Sequence, residues 1–172
     1  FGFTMREDFA FTCLEEAINT DNVRLVGLHC HIGSQIFALH SFAEAVGVMV
    51  AFMARVRDEY RNAIEELDMG GGLGIAYTAE DEPSSVDDFA ETITAAVKRC
   101  CAEHDLPLPR LLVEPGRSLT ANAGVTLYRV GNMKTLPGIR KYVAIDGGMS
   151  DNIRTALYHA EYEPTIANKA GQ

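Results

Sequence analysis

The 172 residues contain no run of basic side chains, no Cys-x-x-Cys spacing and no internal repeat or low-complexity tract. The first absence bears on partners. Lys and Arg number 15 against 24 Asp and Glu, a net charge of −9, so a nucleic-acid backbone or an anionic membrane surface would be repelled. No nucleic acid and no membrane is therefore expected as a partner, whereas a small anionic ligand needs only a local positive site. The second absence bears on redox chemistry. Cys13, Cys30, Cys100 and Cys101 include an adjacent pair that suits neither an ordinary disulfide nor a zinc knuckle. Buried apolar thiols in a cytoplasmic protein are expected. No apolar stretch is read as approaching the roughly 20 residues of a membrane-spanning helix, and no charged segment followed by an apolar core opens the chain. The chain starts on Phe1-Gly2-Phe3 without Met, and is expected to be a piece of a larger protein.

What is present is an alternation of helical and strand patterns. Glu7 to Asn19 carries Phe9, Cys13 and Ala17, with Phe11, Leu14 and Ile18, at helical spacing. Val23 to Ile32 is a β-rich apolar run ending at Gly33-Ser34, as a buried parallel strand does. Ser41 is placed to cap a helix reaching about Asn62, with Phe42, Val46, Met49, Val50 and Met53 on one side. Ile64 to Met69 predicts a strand. Glu80 to Ser85 reads as a solvated loop, and Ser85 with Asp88 forms a capping box for a helix from Val86 to His104. Leu111 to Val113, Val125 to Val130 and Tyr142 to Ile145 predict three further strands, the last two separated by a Pro137-Gly138 turn. Strand, helix, strand, helix, strand is an α/β pattern with a parallel sheet.

The polar and glycine residues fall just after strand ends, where α/β sheets and β/α barrels carry their ligand sites. His29-Cys30-His31 puts two imidazoles on one side of a strand, because side-chain direction repeats every second residue. Such a pair suits a metal-dependent hydrolase, a structural pair or a contact with an organic cofactor. Gly70-Gly71-Gly72-Leu73-Gly74 lets backbone N–H groups approach an anion, although it lacks both the GxGxxG spacing and the P-loop Lys-Ser/Thr. Glu114-Pro115-Gly116-Arg117-Ser118 sets an acid and a cation within five residues. They either pair with each other or meet different parts of one ligand. Asp146-Gly147-Gly148, followed by Arg154, is a fourth glycine-softened strand end.

These four motifs, read as His29-Cys30-His31-Ile32-Gly33-Ser34-Gln35, Asp68 to Gly74, Glu114 to Ser118 and Asp146 to Arg154, resemble in order those of the diaminopimelate decarboxylases. These are fold-type III pyridoxal-phosphate enzymes, with ornithine decarboxylases and alanine racemases as more distant relatives. The resemblance runs over nearly the whole chain. It implies a partial (β/α)8 barrel of the TIM type, lacking its first strands and the C-terminal β domain. Residues 1–150 would be barrel and 151–172 the start of the connection onward. It implies pyridoxal 5'-phosphate as cofactor, no metal, and homodimers of the intact enzyme converting meso-diaminopimelate to L-lysine in lysine biosynthesis.

By motif position, the resemblance implies that His31 stacks on the pyridine ring and that Ser34, Gly71, Gly72 and Gly116 line the phosphate site with Arg117. Glu114 would face the pyridine nitrogen, making Glu114 and His31 the catalytic pair. Arg117, Arg154 and Tyr158 would bind substrate. The departures are equally specific: Lys98, Lys134, Lys141 and Lys169 match no Schiff-base lysine motif, the Cys-Glu-Ser motif is missing, and Thr155 stands where many relatives have Pro. The isolated chain is therefore expected to be inactive. A cofactor-binding module without catalysis, or a metal-dependent hydrolase built on His29 and His31, are the alternatives.

Overall fold

The computed structural model describes residues 2–61 and 64–170; Phe1, Asn62 and the last two residues, on which expectations above touch, lie outside them. The chain divides into two compact units, Phe1–Ile75 with Glu82–Leu119, and Ala76–Asp81 with Thr120–Gln172.

In the first unit a 3-10 turn, Arg6–Asp8, leads into α1, Phe9–Asn19. Strands β1 (Gly27–His29), β2 (Glu66–Asp68) and β3 (Arg110–Leu112) pair in parallel in the order β1-β2-β3. They are shorter than the apolar runs predict, but the ladder continues beyond them. Cys30 N–H donates to Asp68 O at 2.9 Å, Met69 N–H to Leu112 O at 3.0 Å and Glu114 N–H to Gly70 O at 2.8 Å.

Helices α2 (Leu39–Tyr60) and α3 (Val86–Glu103) cover this sheet. Val46, Val50, Met53 and Val56 of α2 meet Leu67 and Met69 of the sheet and Ala96, Val97, Cys100 and Cys101 of α3 in one core. Phe42 and Phe89 join a second, with ring centroids 4.9 Å apart edge to face. Cys100 and Cys101 are buried free thiols, as expected, while Cys13 and Cys30 are free and half-buried. Burial pushes the Cys30 thiol above its ordinary value, and the Asp68 carboxylate adds to the shift.

Two expectations about α2 need correction. Ser41 is not its cap: the helix starts at Leu39 with extended Ala38 before it, because Leu39 packs on the second core and draws the first turn forward. By length and mean hydropathy (1.4) α2 also does match a membrane-spanning helix, although Phe42, Val46, Val50 and Val56 are fully buried in this unit's cores. The box before α3 is as read: Ser85 Oγ accepts the Asp88 N–H at 3.0 Å, and Asp88 Oδ2 accepts the Ser85 N–H at 3.3 Å.

The second unit is built on an antiparallel hairpin of β4 (Val130–Leu136) and β5 (Arg140–Ile145). The Pro137-Gly138 turn closes it, with Gly138 at φ 74°. The strand expected at Val125 to Val130 instead begins at Val130. The turn sets the register from Leu136–Arg140 back to Met133–Val143, an irregularity then shifts it by one residue so that Val130 pairs with Ile145, and residues 125–129 fall beyond the end of the partner strand. A short helix α5, Arg154–Tyr158, follows.

Candidate functional site

The site assembles where β1, β2 and β3 end side by side. His29 closes β1, and its Cα pairs with that of Asp68, which in turn pairs with Leu112. Glu114 follows two residues later, on the same side of its strand but level with Gly70, so the side chains of His29, Asp68 and Glu114 form a slanting row across the strand ends. His29 Nε2 lies 3.2 Å from Glu114 Oε2, and one ligand atom from each of the three residues falls within 4.8 Å of the others.

The loops above the row are tied to one another. After β1, Gln35 takes a left-handed conformation (φ 59°); its Nε2 donates to Ile75 O at 2.7 Å and its Oε1 accepts the Ile75 N–H at 3.3 Å. Ile36 N–H donates to Gly72 O at 2.9 Å. Into this seam the glycines fit without side chains. A Cβ on Gly70 would meet Cys30 O, one on Gly71 would meet Glu114 O, and one on Gly72 would meet Gly33 O. The Gly run is thus required first by the close approach of three loops. Gly71 N–H donates to His31 Nδ1 at 3.2 Å, which fixes that ring, and Asp68 Oδ1 accepts the Gly70 N–H at 2.9 Å.

A positive group joins two of the same loops. Arg117 opens α4 (Arg117–Thr120), and its Nη2 donates to Ser34 Oγ at 2.9 Å. Around the Cβ position of Gly116 there is no atom within 4 Å, so its backbone borders open space. The first unit thus offers a carboxylate with two imidazoles and, near by in the chain, a guanidinium with a hydroxyl.

Of the sequence-derived site residues, His31, Ser34, Gly71, Gly72, Glu114, Gly116 and Arg117 all fall on these three strand-end loops. Arg154 and Tyr158 belong to the second unit, at the two ends of α5; the Arg154 guanidinium lies 5.6 Å from the Tyr77 ring centroid. The fourth strand end, Asp146-Gly147-Gly148, is not part of the parallel sheet. It ends the hairpin, where Asp146 Oδ1 accepts the Arg129 N–H at 2.8 Å and Gly147 leaves room for the Tyr128 ring. His29 and His31, the pair expected for a metal hydrolase, part company: His29 faces Glu114 while His31 is held by Gly71. Asp68 was the residue with no role in the sequence reading, although an acid at a strand end is the same signal that marked Glu114. A cavity of about 350 Å³ in this unit has a mainly apolar wall, including Phe3, Leu14, Leu25, Met49 and Phe52, and reaches His29 at the end of β1.

Comparison with known proteins adds three findings. The family model "Pyridoxal-dependent decarboxylase, pyridoxal binding domain" matches residues 1–121. A diaminopimelate decarboxylase of Bacillus subtilis is 43% identical over 172 residues, all of this chain but 39% of that protein. A crystal structure of diaminopimelate decarboxylase from M. jannaschii in complex with L-lysine superposes with a TM-score of 0.83 at 34% identity, covering 95% of this chain and 37% of that one. The chain thus spans about two fifths of the length of such relatives.

Proposed function

The chain belongs to the pyridoxal-dependent decarboxylase family through its pyridoxal-binding domain, and from that premise we propose that it is the cofactor-holding part of a diaminopimelate decarboxylase. The carrying observation is the bipolar site on three adjacent parallel strand ends: Glu114 with His29 and His31, and Arg117 with Ser34. This donor set fits pyridoxal 5'-phosphate, an aromatic ring with a basic nitrogen at one end and a phosphate at the other. When bound, the cofactor supplies an electron sink for breaking a carbon–carboxylate bond.

Each residue then has a task. Glu114 accepts a hydrogen bond from the ring nitrogen and keeps the proton there. His31, its Nδ1 already tied to Gly71, presents a fixed ring face for stacking. Arg117 and Ser34 bind the phosphate, with the main chain of Gly71, Gly72 and Gly116 approaching from the loops. Arg117 also reaches a substrate carboxylate, and Arg154 and Tyr158, four residues apart on α5 of the second unit, keep the substrate-binding role that the family resemblance implies.

The substrate is meso-diaminopimelate and the product L-lysine. The intact enzyme is a homodimer, and the four free cysteines support a cytoplasmic location. We place the end of the barrel portion near residue 120 rather than 150, because the first compact unit ends at Leu119 and the family match at residue 121. Residues 151–172 remain the start of the connection onward.

Titrating the chain with pyridoxal 5'-phosphate and with dephosphorylated pyridoxal, followed by visible absorption, tests the assignment. Saturable binding of the phosphate ester is expected, and Arg117→Ala should weaken it at least about tenfold while changing the pyridoxal affinity little. Equal affinity of the unmodified chain for the two compounds would remove Arg117 and Ser34 from the phosphate site.

A further inference from the structure

The main chain of Glu114 is firmly placed. Its N–H donates to Gly70 O at 2.8 Å, and its carbonyl is packed against Gly71 closely enough to exclude a Cβ. The side chain is another matter. It leaves 57% of its surface exposed and has freely rotating bonds, so the strand end fixes where the carboxylate starts but not where it points. Asp68, on the strand between β1 and β3, brings a second carboxylate within 4.8 Å of it, and like charges at that range push apart. The group that opposes both tendencies is His29, which reaches across from β1 to Glu114 Oε2.

We propose that His29 is a positioning residue for Glu114, holding Oε2 so that Oε1 remains free to accept a hydrogen bond from the cofactor's ring nitrogen. The inference rests on the reading of Glu114 given above. A carboxylate can only accept, so in this pair the imidazole Nε2 carries the hydrogen and donates. Asp68 Oδ1 is engaged by the Gly70 N–H at 2.9 Å, which holds the second carboxylate on the glycine loop. His31 is tied to the glycine loop instead, its Nδ1 accepting the Gly71 N–H at 3.2 Å. The row His29, Asp68, Glu114 thus works as a bracket, with β1 supplying the donor, β2 the spacer and β3 the group that is aimed.

The test compares pyridoxal 5'-phosphate with its 1-deaza analogue, in which a C–H replaces the ring nitrogen, as ligands of the chain. The ratio of the two dissociation constants reads the Glu114 contact alone, since phosphate and stacking are common to both. The chain should prefer the natural cofactor, and Glu114→Gln should remove most of that preference. His29→Ala should lower the preference about tenfold, toward the Glu114→Gln value, with the affinity for the analogue and the melting temperature of the unliganded chain nearly unchanged. His29→Gln, which keeps an N–H donor on a similar reach, should restore it. An unchanged preference in His29→Ala, with Glu114→Gln still losing it, would overturn the positioning role and leave the Glu114 reading standing. Equal weakening of both ligands with a lowered melting temperature would make His29 a fold residue only, and no preference in the unmodified chain would remove Glu114 and His29 together.

Discussion

Gly71 and Gly116 both lie in motifs that sequence reading assigns to a phosphate, yet their surroundings differ sharply. A methyl group on Gly71 would strike the Glu114 carbonyl, whereas one on Gly116 meets nothing within 4 Å. Gly71→Ala should therefore cost about 1–3 kcal/mol of stability through overpacking. Gly116→Ala should stay within about 0.5 kcal/mol while weakening pyridoxal 5'-phosphate binding, because its added methyl group intrudes on the space kept for the ligand. Thermal melting of the two variants, with and without cofactor, checks both halves of that contrast. That Glu114, His31, Ser34 and Arg117 fall on neighbouring loops is legible in the sequence because each follows a strand end, where parallel topology decides what is brought together. The partnership of Glu114 with His29 rather than with Arg117 alone was not legible, since both pairings satisfy the same charge rule and only the order β1-β2-β3 decides how near His29 comes.

Helix α3 shows how far local rules reach. Ser85 and Asp88 exchange hydrogen bonds across three residues, so sequence contains everything the box needs. Ser85→Ala should lower stability by about 1 kcal/mol, measured by denaturant unfolding. Elements whose limits are set by distant partners were read less well. Ser41 has the right chemistry for a cap, but burial of Leu39 extends α2 past it. Val125 to Val130 has strand propensity throughout, but pairing begins only at Val130 because β5 ends at Ile145, which Val130 meets after a register shift between Val130 and Met133. Likewise α2 passes for a membrane helix on mean hydropathy because a helix serving two hydrophobic cores must be apolar over much of its surface.

At the scale of the molecule, three parallel strands and their covering helices make one unit, and an antiparallel hairpin makes the other. The alternation of strand and helix reads as α/β with a parallel sheet, and the barrel is what the family resemblance implies; the antiparallel pairing of the second unit is not legible in that alternation, because hairpin and crossover strands share one residue pattern and differ only in what joins them. Lys98 lies on α3, Lys134 and Lys141 on the hairpin and Lys169 in a 3-10 turn, so none of the four stands at the end of β1, β2 or β3. Backbone amide shifts of the isotope-labelled chain, followed by NMR during titration with pyridoxal 5'-phosphate, test directly whether those three strand ends hold the cofactor. Saturable shifts clustered at residues 31–34, 70–72 and 114–117 are expected. Saturable shifts confined to the apolar cavity around Phe3, Leu14 and Met49, or no saturable shift in the three loops, would contradict that assignment.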